Sequence, residues 1–458
     1  MVDSTKRIVR KQIDLLRRSF FQVDELPLNE ILPEETLKQI ALQAGNYRDK
    51  VFSPLVTLRA FLWQVLSDNG SCKEAVANIL VERVQQRLPA NSMSTGPYCK
   101  ARQRLPLPLI KSAVKQTGTS LHQKTESSWK WHDYNIVIAD GTTVLMADSD
   151  ENQTEFPQQS TQKAGLGFPI ARIVGLVSLS AGCIIDYAIS AYKGKGNGES
   201  SLFSQIANTM GPGDLLLADR YYCTYAIVAL TKRQGIPVLF KNHANKKADF
   251  RRGKKLNSKD HLIHWEKPKR KPVWMSPEDY ERLPSSLQVR EFSVNGNVYV
   301  TTLLDHKIYN KKELAELYNE RWKIELDLRT IKTDMKMEML RCKTPEMVKK
   351  EIAVHLLAYN LIRTNIAQAA KQHNTLPRSI SFKASVQLLS AAMRQFVHGS
   401  KKQLMDLYKA ILKAIISTKV GLRKRKAQPR AVKRRPKAYP LLMEPRSVAC
   451  ERPILELR

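Results

Sequence analysis

The stretch "YNERWKIELDLRTIKTDM", residues 318–335, decides how the chain is read. Wound as a helix at about 100° per residue, with Tyr318 at zero, it places Arg321 at about 300°, Lys332 at about 320° and Glu325 at about 340°. The four share a face about 60° wide. Beside it, between about 220° and 280°, runs an apolar stripe of Leu317, Ile324, Leu328, Ile331 and Met335. Glu320, Lys323, Asp327, Thr330 and Asp334 are expected to face solvent. The helix thus has a core side, a water side and a narrow third side carrying a phenol, a guanidinium, a carboxylate and an amine. Such a stripe suits a polar site at the edge of a core. An ordinary ion pair is the simpler reading, but base before acid is the less favourable order at i, i+4.

Upstream, the chain changes period. To about residue 125 the pattern is helical: "SCKEAVANILVERVQQRL" opens on the cap pair Ser71 and Glu74. "STGPYCKARQRL" offers Ser94 or Thr95 as a cap and sets Lys100, Arg102 and Arg104 on a short helix. That helix is either a DNA-reading element or a basic solvated surface. From Tyr134 come three β-rich runs, "YNIVIADGTTVLM", "ARIVGLVSLSAG" and "CIIDYAISAYKG". The helix "ESSLFSQIANTM", the strand "DLLLADRYY", the helix "TYAIVALTKRQG" and the strand "PVLFKNH" follow. The order βββαβαβ implies a mixed sheet flanked by helices. Residues 244–290 read as basic and irregular, with Trp265 and Trp274 among lysines and prolines; packing in a small β subdomain is the plain role for both. A strand pair turning at Asn295 and Gly296 comes next. Asn310 caps the helix that opened this section, and Thr344 with Pro345 starts a long one.

The chain has 458 residues, with 75 Lys and Arg against 43 Asp and Glu, a formal net charge of +32. That excess favours a polyanion, nucleic acid first, because each cation set against a phosphate releases condensed counterions. Residues 419–437 contain ten Lys or Arg and no acid, and read as a flexible basic arm. The six cysteines form no CxxC pair, so neither a zinc site nor a disulfide framework is indicated, and a reducing cytoplasm fits. No signal-peptide core opens the chain, and residues 173–192 read as two strands rather than a membrane span.

Two further carboxylates stand out by position. Asp140 ends the apolar run of "IVIADGT" and Asp219 that of "LLLAD", so both emerge at strand ends that neighbouring strands can bring together. Each has a plainer reading, Asp140 as a turn former before Gly-Thr and Asp219 as half of a surface pair with Arg220. Together with Glu325 they make three hard-oxygen ligands, a set suited to Mg²⁺ or Mn²⁺. Two such ions about 4 Å apart activate an attacking oxygen and stabilise the leaving one in phosphodiester displacement.

The order Asp, Asp, Glu on this succession of elements resembles the RNase H-like core of DDE transposases. Tyr318, Arg321, Glu325 and Lys332 reproduce the Y-x2-R-x3-E-x6-K signature of the insertion-sequence-four family, and "ADGT", "ADRYY", "HLLAYNLIR" and "PRAVKRRPKAYP" are similar to it as well. The resemblance implies that Asp140, Asp219 and Glu325 hold the metal ions, Mg²⁺ with Mn²⁺ as a substitute. It implies that Tyr318, Arg321 and Lys332 grip the strand near the scissile phosphate. It also implies a β-rich insertion, about residues 244–309, in which a tryptophan, Trp274 before Trp265, receives a flipped base. The expected fold is therefore α/β: an N-terminal helical, DNA-binding domain over residues 1–125, the RNase H-like domain with its insertion over 126–343, and a C-terminal helical region with the basic arm over 344–458. The expected activity is cutting double-stranded DNA at transposon ends and joining them to a target, by a homodimer working in the cytoplasm. A nuclease without strand transfer and a DNA-binding relic are the rivals.

Overall fold

The computed structural model describes residues 2–21, 28, 31–43, 51–243, 245–393 and 400–420, and near the C-terminus 443–445, 448–449 and 451. The basic arm, apart from its first two residues, lies outside the described residues. At its centre is a sheet of β1 (Asn135–Met146), β2 (Ile170–Ser178), β3 (Ile184–Ala191), β4 (Asp214–Ala218) and β5 (Val238–Lys241). It continues through β6 (Lys254–Asn257), β7 (Asp260–Glu266), β8 (Ser286–Val294), β9 (Asn297–Thr301) and the two-residue β10 (Met339–Leu340). The strand order is β3-β2-β1-β4-β5-β9-β8-β7-β6, with β10 added beside β1. β1, β4 and β5 are parallel, whereas β2 and β3 run antiparallel to their neighbours. This is the βββαβαβ, RNase H-like sheet that the sequence implied, with the insertion hydrogen-bonded onto its β5 edge.

Alternation along the strands divides the core in two. Ile136 and Ile138 of β1 and Leu215 and Leu217 of β4 face one cluster, and Val137, Ala139, Leu216 and Ala218 face the other. The first cluster takes in the N-terminal helices, the helix Lys323–Thr333 and the long helix Pro345–Gln372, which starts at Thr344 and Pro345 as expected. The second is covered by the helices Glu199–Ile206 and Tyr225–Arg233 and by the insertion. Ser71 and Asn310 cap their helices by accepting from the backbone N–H of Glu74 and Lys312. Asn295 and Gly296 both adopt positive φ, the turn that a tight hairpin requires.

Five expectations need correction. The helix 318–335 is not continuous: a 3₁₀ turn, Glu320–Trp322, separates Lys311–Asn319 from Lys323–Thr333. Asp327 does not face water; it is 1% exposed, because the long helix packs on that side and supplies partners for its charge. Lys323, also expected in solvent, is half-buried. The stretch 244–290 is not irregular, since it forms β6, β7 and the short helix Pro277–Glu281. Its strands were hidden by polar residues buried in pairs: Arg290 donates to both Asp260 oxygens at 2.8 and 2.7 Å, and His261 lies 3.3 Å from Glu291. Arg102 is not on a DNA-reading or solvated face either. It is buried against Phe61 and Tyr98 and donates to Gln64. No helix among the described residues is long and apolar enough to cross a membrane.

Candidate active site

β1 and β4 pair in parallel register through Ala139 and Ala218, and the next residue on each is an aspartate. By alternation Asp140 and Asp219 project from the same face as Ile138 and Leu217, the face on which Ile324, Leu328 and Ile331 seat the helix Lys323–Thr333. That helix brings Glu325. The turn reading of Asp140 is excluded, because Asp140 and Gly141 are mid-strand and pair with Gly175 and Val174 of β2. Asp219 is fixed as a cap: its Oδ1 accepts from the Tyr221 N–H at 2.8 Å at the start of the 3₁₀ turn Arg220–Tyr222.

Arg321 ties the pieces together. Its Nη2 donates to Glu325 Oε1 at 2.9 Å, and its Nη1 lies 3.5 Å from Asp140 Oδ2. Asp140, Gly141, Thr142, Glu325, Arg329, Lys332 and Glu338 are among the residues that line one open cleft of about 310 Å³. Lys332 therefore opens onto the same space as two of the carboxylates. Tyr318 is half-buried, edge-on to Tyr299, and burial pushes its phenol up to about 12, with Arg321 opposing and the Asp219 charge adding. Burial also pushes the Asp140 carboxyl up to about 6; the Gly141 N–H and Arg321 oppose the shift, and the charges of Glu199 and Asp219 add to it.

The donor set suits a hard divalent cation in kind, since Asp140, Asp219 and Glu325 offer only carboxylate oxygens, and Arg321 bridges Asp140 and Glu325 as the cation at hand. Among the described residues no three acidic side chains converge closely enough to hold a metal ion, since Glu325, 59% exposed, is turned to Arg321. The fit is one of ligand chemistry alone, with Asp140 and Glu325 both turned to Arg321.

Both tryptophans of the insertion pack against the second core cluster, the plain role expected for them. Trp265 is 5% exposed, donates from Nε1 to Glu291 at 2.8 Å and carries Lys246 over its ring, so it is a packing residue. Trp274 is half-buried against the second core cluster, and among the described residues no hydrogen bond or ring contact joins it to the carboxylates. Two aromatics missed in the sequence flank the site instead: Trp322, 52% exposed, follows Arg321, and Tyr221, 65% exposed, lies two residues past Asp219. Glu199 was missed too, because an acid opening a helix reads as an ordinary first-turn residue.

Residues 131–361, half of the chain, match the family of the transposase DDE domain. The chain is 26% identical over 422 residues, 90% of its length and 93% of the relative's, to the transposase InsG of insertion sequence element IS4 from Escherichia coli strain K12. A shorter match, 34% identical over 76 residues (17% of this chain and 20% of the relative), is to the transposase of insertion sequence element IS421 of Escherichia coli. Among solved structures, a piggyBac transposase synaptic complex with hairpin DNA aligns over 87% of this chain and 84% of that one at 10% identity, with a TM-score of 0.43. As the family match takes in the sheet from β1 to β10, and the IS4 relative is covered nearly end to end, the chain belongs to the DDE transposases of the insertion-sequence-four family, enzymes that act on DNA.

Proposed function

We propose that this transposase cuts DNA at the ends of its own insertion sequence and joins them to a target by phosphodiester displacement, with Asp140, Asp219 and Glu325 as metal ligands. The observation that carries the reading is the pair of aspartates one step past the Ala139 and Ala218 register, on the face that receives the glutamate helix. Mg²⁺, or Mn²⁺ in its place, supplies the charge that activates the attacking oxygen and stabilises the leaving one. Arg321 exchanges its carboxylate partners for phosphate oxygens when DNA enters, a planar fork suited to that geometry. Lys332, about 10 Å along the helix from Glu325, contacts a phosphate beside the one being cut. Tyr318 orients Arg321 from its half-buried position near Asp219. Trp322, exposed beside Arg321, is better placed than Trp274 to stack on a base that leaves the duplex. The active species is a homodimer that brings two ends together, working at the nucleoid.

The test is to incubate the purified protein and Mg²⁺ with DNA carrying the ends that flank its gene, and to map the breaks. Asp140→Asn, Asp219→Asn and Glu325→Gln should each abolish cleavage and strand joining while leaving DNA binding largely intact, since most affinity comes from the many basic contacts. A variant that cleaves at the wild-type rate removes its residue from the site. Cleavage without joining would make the protein a nuclease.

A further inference from the structure

Two thiols 27 positions apart in the chain meet in the N-terminal helices. Cys72 opens the helix Cys72–Gln85, Cys99 lies within the basic helix Gly96–Arg104, and the Cys99 thiol donates to Cys72 Sγ at 3.9 Å. Both are half-buried, whereas Cys183, Cys223 and Cys342 are buried. Each sulfur of the pair also has a polar donor. Gln64 Nε2 reaches Cys72 Sγ at 3.6 Å, Arg102 Nη2 reaches Cys99 Sγ at 3.8 Å, and Arg102 Nη1 donates to Gln64 Oε1 at 3.3 Å, so the four side chains close a ring. The hydroxyl of the buried Tyr98 donates to the same Gln64 oxygen at 2.9 Å and fixes the ring from the core side.

A free cysteine in a core packs as a small hydrophobe and is inert. Cys72 and Cys99 differ from that pattern, because solvent reaches both, each faces the other, and Gln64 and Arg102 hold the sulfurs in place. A disulfide needs its sulfurs about 2 Å apart, so the two side chains together have about 2 Å to close. We propose that Cys72 and Cys99 are a redox-sensitive pair that a peroxide converts to a reversible disulfide, tying the basic helix to the start of the helix Cys72–Gln85. The Cys99 sulfur, beside the Arg102 guanidinium, attacks one peroxide oxygen; the O–O bond breaks, the sulfur becomes a sulfenic acid and the other oxygen leaves as water. Cys72 then attacks that sulfur, the S–S bond forms, and the hydroxyl leaves with the Cys72 proton as a second water. The two thiols have then given two electrons to the peroxide. Burial pushes the Cys72 thiol up, with Arg102 opposing, which suits Cys72 to the second step. The helix so tied exposes Lys100 and Arg104, and the setting of these two surface cations comes to depend on thiol oxidation.

The test exposes the reduced, full-length protein to hydrogen peroxide and stops the reaction with catalase. The protein is then unfolded, the remaining thiols are blocked with N-ethylmaleimide and counted by mass, and the disulfide-linked peptides are mapped. Of the six thiols, two should be lost to a single linked pair of peptides carrying Cys72 and Cys99, and dithiothreitol should restore both. Cys342→Ser, a control at a buried thiol, should lose the same two. Cys72→Ser should leave Cys99 as a sulfenic acid that dimedone traps. The wild-type peptide map decides the matter even where a variant fails to fold. An unchanged thiol count overturns the proposal and returns both thiols to packing, and so do linked peptides that join other cysteines, Cys342 or Cys450 among them.

Discussion

Replacing Asp327 tests whether the helix that carries Glu325 is anchored from behind. Its Oδ1 accepts from Arg363 Nη2 at 2.7 Å, Arg378 Nη1 at 3.0 Å and the Tyr359 hydroxyl at 3.2 Å, and its Oδ2 accepts from Arg378 Nη2 at 2.8 Å. The side chains of Asp327 and Arg363 are 2% and 6% exposed, so removing the acid strands a buried guanidinium. Breaking one partner of such a pair costs about 3–5 kcal/mol. Arg378, less deeply buried, can recover part of its share from water, which keeps the total inside that range rather than at the sum of four charge-assisted bonds. Asp327→Ala should therefore lower the unfolding free energy in urea by about 4 kcal/mol, and Asp327→Asn, which keeps one acceptor, by about 3 kcal/mol. Glu316→Ala, on an exposed position of the preceding helix, should cost less than about 0.5 kcal/mol. A loss below about 1 kcal/mol for Asp327→Ala would refute the anchor and return Asp327 to the solvent face that helical periodicity assigned it.

Other outcomes follow from the same geometry. Burial holds Asp140 at about 6 against an ordinary 3.8, so the stability tied to its neutral form is complete below about pH 4 and is lost as pH rises through 6. Without metal, Asp140→Asn should match wild type near pH 4 and be more stable at pH 8 by up to about 3 kcal/mol; parallel melting curves across that range would contradict this. Trp265→Ala should destabilise the protein by about 3–5 kcal/mol, whereas Trp322→Ala should leave the melting point unchanged and slow a cleavage step read with a fluorescent base analogue at the transposon end. The reverse pattern would exchange their roles. Lys332→Ala should impair cleavage with a change in stability under about 0.5 kcal/mol, and a cleavage loss that only follows a lowered melting point would remove Lys332 from the DNA contact.

What was legible in the sequence was whatever shows as alternation or capping. β1 through β5, the Asn295 and Gly296 turn and the caps at Ser71 and Asn310 all declare themselves locally, and the signature spacing located the helix beside the aspartates. Buried charge was not legible. Asp327, Arg102 and the Asp260 and Arg290 pair look hydrophilic on a wheel or a strand because periodicity sees polarity and not the partner that neutralises it. The place of Glu199 was hidden for a related reason: its carboxylate lies where a side chain on Gly141 would stand, 58 positions earlier in the chain, which no local pattern can register.

The seam between β5 and β9 has a mechanical consequence. Because the insertion is hydrogen-bonded strand to strand onto the sheet that bears Asp140 and Asp219, through Leu239 with Thr301, Phe240 with Val300 and Lys241 with Tyr299, the two form a single stiff plate. A hinge there would have to tear a ladder whose residues Leu239, Phe240 and Val300 are fully buried. Any duplex gripped at once by the insertion and the cleft meets a fixed ruler, and the nucleic acid, rather than the enzyme, has to bend to fit.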